Sequence, residues 1–219
     1  SEVATMIVAV GGPPGSGKTT VAERFARAHA YVLVSAGLKF REMAKRRGLT
    51  LEAFGRAAET DPDIDRSLDH AVLEEILRQD ALGRDVIVDG RIQAHLLAER
   101  RVPCLKVLID APLAIRAQRV AGREDKSPTA AEREISEREE SERVRYQALY
   151  HIDLDDTSLF DLVVDSSDKT PDQIVAIARS MRRATEARSY GISGMRITSA
   201  VAEIPAFRAI HPAYRPISS

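Results

Sequence analysis

One octet, Gly12-Pro13-Pro14-Gly15-Ser16-Gly17-Lys18-Thr19, constrains this chain more than any other feature. It satisfies the pattern G-x-x-x-x-G-K-[ST], and its surroundings are those the pattern needs. The apolar run from Met6 to Val10 ends at glycine just before it. An amphipathic stretch from Lys18 to Ala30 follows, with Val21, Ala22, Phe25 and Ala28 at helical spacing. Gly15 and Gly17 permit backbone shapes closed to other residues and let several N–H groups face one anion. A helix starting near Lys18 aims its positive end at the same point. Lys18 puts a cation on the β and γ oxygens of a triphosphate, and Thr19 offers a hydroxyl to Mg²⁺. The expectation is that residues 12–20, closing with Thr20, bind ATP with Mg²⁺.

The rest of the chain alternates in a way that fits this loop. Short runs rich in Val, Ile and Leu recur at Tyr31 to Val34, Val86 to Val88, Leu105 to Ile109 and Leu162 to Val164. Unbroken apolar runs of that length suit strands covered on both faces. Helical patterns lie between them. Asp61-Pro62 opens one, whose buried stripe is Ile64, Leu68, Ala71, Val72 and Ile76. Ala111-Pro112 opens another, to about Ala121, and Thr170-Pro171 a third, to about Ala187. Such alternation predicts an α/β fold, a five-stranded parallel sheet flanked by helices.

Two regions depart from it. Residues 35–82 hold three helical stretches and no strand, and residues 122–150 are almost wholly polar. The expected organisation is a phosphate-loop core over 1–34, 83–121 and 151–186, with 35–82 as a helical insertion and 122–150 as a lid. Residues 187–219 form an extension of unassigned role. Residues 182–219 carry six Arg against two Glu.

Composition excludes several classes. No apolar run is long enough to span a bilayer, and the stretch before Gly11 lacks a secretory leader's basic start and cleavage site. Ser1 in first place suggests a processed end, with Met6 a candidate start. A cytoplasmic protein is expected, acting as a monomer or homodimer. A net charge of −1 and the absence of Trp argue against nucleic-acid binding as its task. The one cysteine, Cys104, excludes an internal disulfide and a cysteine-rich metal site, and its place in an apolar run predicts a buried strand residue. The five histidines show no zinc spacing.

Candidate chemistry sits at strand ends and on the polar segment. Asp89 ends a strand at the carboxyl edge, where ligands of parallel sheets gather, and is expected on the metal or substrate side. Asp110 ends the next strand and is expected to cap the helix at Pro112. From Ile135, the residues Arg138, Glu142, Arg145 and Leu149 fall on one helical stripe bounded by apolar residues, so the stripe should face inward. Inward guanidiniums need anions, and phosphate oxygens suit them. Arg119 and Arg123 lie one turn apart just before, with Gly122 as an expected hinge. A mobile lid carrying arginines onto a transferring phosphoryl group would also keep water out.

These pieces together resemble the nucleoside monophosphate kinases, and most closely the archaeal type of cytidylate kinase. The resemblance rests on residues 12–20, Val34-Ser35-Ala36-Gly37 with Phe40-Arg41-Glu42, Asp89-Gly90-Arg91, and Arg119 with Arg123. It continues through Glu137 to Arg143 with Arg145-Tyr146, Ile152-Asp153 and Phe160-Asp161-Leu162, in order over most of the chain. It implies that Ser35 and Arg41 hold the acceptor, that Arg41 and Arg91 grip its phosphate, and that Asp89 lies on the same side. It implies that Arg138, Glu142 and Arg145 line the lid. It sets Arg119 against adenine and Arg123 near the phosphates, with Lys18, Arg123, Arg138 and Arg145 as the catalytic cations. The implied reaction is ATP-dependent phosphorylation of CMP or dCMP. Residues 92–101 depart from the family's text, which leaves open a same-scaffold kinase with another acceptor. A nucleotide-dependent switch or assembly factor is the alternative of another class.

Overall fold

The computed structural model describes residues 5–189. Five parallel strands form one sheet: β1 (Ile7–Gly11), β2 (Val32–Ser35), β3 (Val86–Asp89), β4 (Leu105–Asp110) and β5 (Leu162–Asp165), in the order β2-β3-β1-β4-β5. Eight helices accompany them among the described residues: α1 (Lys18–His29), α2 (Ala36–Arg46), α3 (Leu51–Thr60), α4 (Pro62–Ala81), α5 (Gln93–Glu99), α6 (Leu113–Glu124), α7 (Pro128–Tyr150) and α8 (Pro171–Ser189). The α/β sheet that the sequence predicts is therefore present, with each strand one residue longer at its carboxyl end than the apolar run suggests.

All five residues of β1 are buried because side chains alternate between two covered faces. Val8 and Val10 meet Phe25 of α1, Ile109 of β4 and Ile174 of α8 on one side. Ile7 and Ala9 meet Leu68, Val72 and Ile76 of α4 and Leu97 of α5 on the other. Each of these large apolar side chains contributes about 1.5–3 kcal/mol by leaving water. The central strand is thus the best-anchored element, and the glycine loop that continues it starts from a rigid point.

Helices α2, α3 and α4 lie between β2 and β3, in the stretch read as a helical insertion. Their starts follow side-chain chemistry. Ser35 accepts from Leu38 N at 3.3 Å, Thr50 from Ala53 N at 3.1 Å, and Asp61 from Asp63 N at 3.1 Å. Phe54 fills a small core of their own with Ala44, Ala58 and Ile64. Helices α6 and α7 pack as an antiparallel pair around Ala117, Val120, Ala121, Ala131 and Ile135. Ser127 caps α7 at 3.2 Å with Pro128 in its first turn, a start signal present in the sequence.

Several expectations are corrected. Pro112 stands at the N-cap of α6 and the helix begins at Leu113. Asp110 does not cap it; its carboxylate accepts from the adjacent Ala111 N at 2.8 Å. Gly122 is no hinge but an ordinary residue of α6, which runs on to Glu124 and turns at Asp125 with φ 52°. Cys104 lies one residue before β4 and is half-buried, so it is neither inside the strand nor fully enclosed. Of the extension over 187–219, residues 190–219 lie outside the described residues.

Candidate active site

Register decides which groups share the site. Val10 of β1 and Ser35 of β2 both align with Asp89 of β3. The glycine loop, Ser35 and Asp89 therefore meet at one end of the sheet. Asp89 Oδ2 accepts from Thr19 Oγ1 at 2.8 Å and from Ser35 Oγ at 3.2 Å. Its other oxygen, Oδ1, is buried with no hydrogen-bond partner, as is Ser16 Oγ in the loop. Helix α1 begins at Gly17 with no side-chain cap, so its N-terminal dipole faces the loop interior. Lys18 Nζ reaches Pro13 O at 3.4 Å. Burial pushes the Lys18 ammonium down to about 8, against the pull of the Asp89 carboxylate.

The loop is braced from α6. Arg116 donates to Ala111 O at 2.8 Å and Pro14 O at 3.0 Å, and pairs with Glu139 of α7 at 3.3 Å. Gly15 has φ +80°, and a Cβ there would lie 2.9 Å from Arg116 Cβ, so only glycine fits. Arg119 donates to Ser166 O at 2.6 Å, Ser166 Oγ at 2.9 Å and Ser16 O at 3.3 Å. Ser166, just past β5, also donates to Ser16 O at 2.9 Å. Sequence reading missed Arg116, Ser166 and Glu139. Two signals pointed to them: Arg116 is in phase with the buried Ala117, Val120 and Ala121, and Ser166 follows a strand at the carboxyl edge.

Across the loop stands the charged face of α7. Glu142 is buried and accepts from Arg138 Nε at 2.8 Å and Arg91 Nε at 3.0 Å. Burial alone would raise the Glu142 carboxyl; Arg138 and Arg91 outweigh it and hold it below the ordinary carboxylate range. Glu142 in turn raises the Arg138 guanidinium. Lys18 feels all four of Asp89, Arg138, Glu142 and Arg91. Three cations thus face two carboxylates in one water-poor space, a surplus that suits an added anion.

The stripe read from the sequence is only partly the inward one. Ile135 and Glu142 are buried, and Arg145 and Leu149 half-buried. Arg138 keeps 58% of its side chain exposed, and Tyr146 takes the deep position between Ile92, Leu96 and Ile152. Arg145 pairs with Asp65 of α4 at 2.9 Å and meets Ser141 Oγ at 3.1 Å. Asp69, one turn along α4, accepts from Tyr150 Oη at 2.7 Å and Gln93 Nε2 at 3.2 Å. Burial raises both the Asp65 and Asp69 carboxyls, the latter to about 7. Asp65 and Asp69 were also missed; their signal is a pair of carboxylates on the apolar stripe of α4.

Two expected residues stay outside this group. Arg41 is exposed on α2, and Arg123 pairs with Glu124 at 2.7 Å with 67% of its side chain exposed.

The family model described as the cytidylate kinase-like family matches residues 7–168. The chain belongs to the cytidylate kinase-like family. Its curated relatives agree with that family name. A cytidylate kinase of Halobacterium salinarum is 43% identical over 173 residues, covering 78% of this chain and 86% of the relative. One of Pyrobaculum aerophilum is 43% identical over 173 residues, covering 79% and 90%. Among solved structures, shikimate kinase from Acinetobacter baumannii in complex with shikimate matches with a TM-score of 0.52 and 16% identity, covering 88% of this chain and 97% of that one. An uncharacterized protein from Eubacterium ventriosum matches with a TM-score of 0.57 and 20% identity, covering 80% and 99%. Those likenesses show the fold of this family member and nothing of its acceptor. Among the described residues no helix is long and apolar enough to cross a membrane.

The site also fits the metal that such a fold implies. Among the described residues no cluster of three or more His, Cys, Asp or Glu could hold a metal by itself. Mg²⁺ is usually held by one or two protein oxygens together with substrate phosphates. The hydroxyl of Thr19 and the unpartnered Oδ1 of Asp89 are that kind of donor.

Proposed function

We propose that this chain transfers the γ-phosphoryl group of ATP to a pyrimidine nucleoside monophosphate, CMP or dCMP, giving the diphosphate and ADP. The observation that carries the reading is the convergence of Arg91 and Arg138 on Glu142 beside Lys18. One carboxylate holds two guanidiniums next to a complete phosphate loop, so the arginines are poised to exchange it for phosphate oxygens. The family relatives named cytidylate kinase supply the pyrimidine acceptor.

In this reading Lys18 and the amides of residues 12–20 grip the β- and γ-phosphates, with Arg116 and Ser166 holding the loop in shape from behind. Lys18 is discharged easily while alone and regains its proton as the phosphate oxygens face it. Thr19 and Asp89 hold Mg²⁺, which when bound neutralises charge between the two phosphates. Ser35, Arg41 and Arg91 hold the acceptor, with Arg91 on its phosphate. An ionised oxygen of that phosphate attacks the γ-phosphorus in line, and the bond from the γ-phosphorus to the bridging oxygen breaks to release ADP. The attacking oxygen carries no proton to remove, so no general base is required. Lys18, Arg91, Arg138 and Arg145 hold the charge that spreads over the transferring group, and Arg123 is drawn in when the lid closes. Glu142, relieved of one guanidinium, keeps the other aimed. The reaction belongs to the cytoplasmic nucleotide pool.

Coupled ADP release, measured against CMP, dCMP, UMP, AMP and alcohols that are not nucleotides, tests this. CMP and dCMP should turn over with the highest kcat/KM. Turnover of an alcohol with none of the monophosphates would overturn the proposal.

A further inference from the structure

The pair Asp65–Arg145 is not needed for phosphate chemistry, and the packing gives it little reason to exist. Asp65 is 1% exposed and the Arg145 side chain 12%, with 2.9 Å between them. A buried pair of this kind is commonly no more stabilising than apolar side chains of the same volume. Its position supplies another reason. Asp65 stands on the insertion and Arg145 on α7, so the pair spans the seam between the two walls that would enclose an acceptor. On α7, Arg145 lies three residues beyond Glu142, about 4.5 Å further along the axis from the phosphate end. Glu142 acts electrostatically on Asp65, so the two groups belong to one continuous polar line. Nearby Asp69 is already engaged by Tyr150 and Gln93, at 2.7 and 3.2 Å. Asp65 has the Arg145 guanidinium as its ion-pair partner and is the carboxylate that remains to be read.

We infer that Asp65, with Arg145 beside it, reads the edge of the acceptor's base and selects cytosine over uracil. The inference rests on the monophosphate-kinase reading above. Cytosine presents an amino donor at C4 next to two acceptors, N3 and O2. A carboxylate accepts from the amino group, and a guanidinium donates to the acceptors beside it. Uracil presents an acceptor at C4 and a donor at N3. Its C4 oxygen would face carboxylate lone pairs, and its N3–H would face the donors of Arg145. Both mismatches would be buried, where unpaired polar groups discriminate most strongly.

Equilibrium binding of CMP and UMP to the full chain is the primary readout, with kcat/KM for each as the second, in wild type, Asp65→Asn and Asp65→Glu. Wild type should prefer CMP. Asp65→Asn can turn its amide nitrogen toward the uracil oxygen, so the CMP-to-UMP ratio should collapse by on the order of 10²-fold. Asp65→Glu keeps the acceptor and should keep the preference in sign. Equal losses for both nucleotides in Asp65→Asn would overturn the inference and leave Asp65 as a prop for Arg145. Should Asp65→Asn fail to fold, an Asp65→Glu protein that weakens CMP and UMP alike would overturn it in the same way. A wild type that binds CMP over UMP but releases no ADP would sink the kinase reading while sustaining this one.

Discussion

Thr19 donates its hydroxyl to Asp89 across 2.8 Å, joining the first turn of α1 to the last residue of β3. The contact leaves the other Asp89 oxygen buried and unpartnered beside Lys18, which feels Asp89 as its strongest attraction. A fold gains nothing from a half-satisfied buried carboxylate. The residue is therefore held for its charge.

Asp89→Asn should lower kcat by about 10²–10³, the scale of one preorganised electrostatic group. Its melting temperature should stay within a few degrees of wild type, since the amide can still accept from Thr19 and no longer buries a charge. Steady-state kinetics and thermal unfolding on the same preparation check both halves. A large loss of stability with kcat intact would contradict the assignment.

Arg145→Ala should act twice. It removes a charge from the transferring group, for a fall in kcat of about 10²–10³. It also leaves Asp65 buried without its partner, a cost of about 3–5 kcal/mol. The double variant Asp65→Leu/Arg145→Met should recover most of the stability and none of the activity. Urea unfolding of the three variants separates the two effects, because the stability changes in this pair should be strongly non-additive.

Arg116→Lys tests the brace under the loop. Lysine cannot donate to Ala111 O and Pro14 O at once while also meeting Glu139. A loss of about 2 kcal/mol is expected, with KM for ATP raised several-fold and KM for the acceptor little changed. Equal effects on both KM values would show that Arg116 does not act through the glycine loop.

Asp69 gives a pH dependence with a definite sign. Its carboxyl is raised by burial from 3.8 to about 7 in the folded protein. The folded state therefore binds more protons than the unfolded state between about pH 4 and 7. The stability linked to Asp69 is complete below about pH 4 and is lost as pH rises through about 7, by on the order of 2–4 kcal/mol. Glu142, held low by Arg138 and Arg91, works in the opposite sense at acid pH. Subtracting the stability profile of Asp69→Asn from that of wild type isolates the first effect. A flat difference over pH 4–7 would refute it.

Gly90 shows how local sequence and remote packing combine. A Cβ at Gly90 would collide with Gln93 Oε1, because the Gln93 side chain folds back over the end of β3 to reach Asp69 on α4. The Asp89-Gly90-Arg91 turn is visible in the chain; the reason that its middle residue has no side chain is not. Gln93 lies in the stretch that departs from the family's text.

What the sequence determined by itself was everything with a short period or a fixed spacing. Buried parallel strands announce themselves as unbroken apolar runs, and helix starts as Ser, Thr or Asp before a proline or a periodic stretch. The glycine loop carries its chemistry within eight consecutive residues. The tertiary structure alone decided which charges meet. Arg138 and Arg145 share one helix with Glu142, yet Arg138 turns to Glu142 near the loop and Arg145 to Asp65, eighty residues earlier in the chain. Helical phase places a side chain on a face, but the partner across that face is set by sheet register and helix packing. Charge is also neutral to phase: Arg123 and Arg119 differ by one turn, and one is spent on solvent and Glu124 while the other clasps Ser166. A guanidinium becomes a functional group only when the fold removes its water, and that removal is a property of three dimensions.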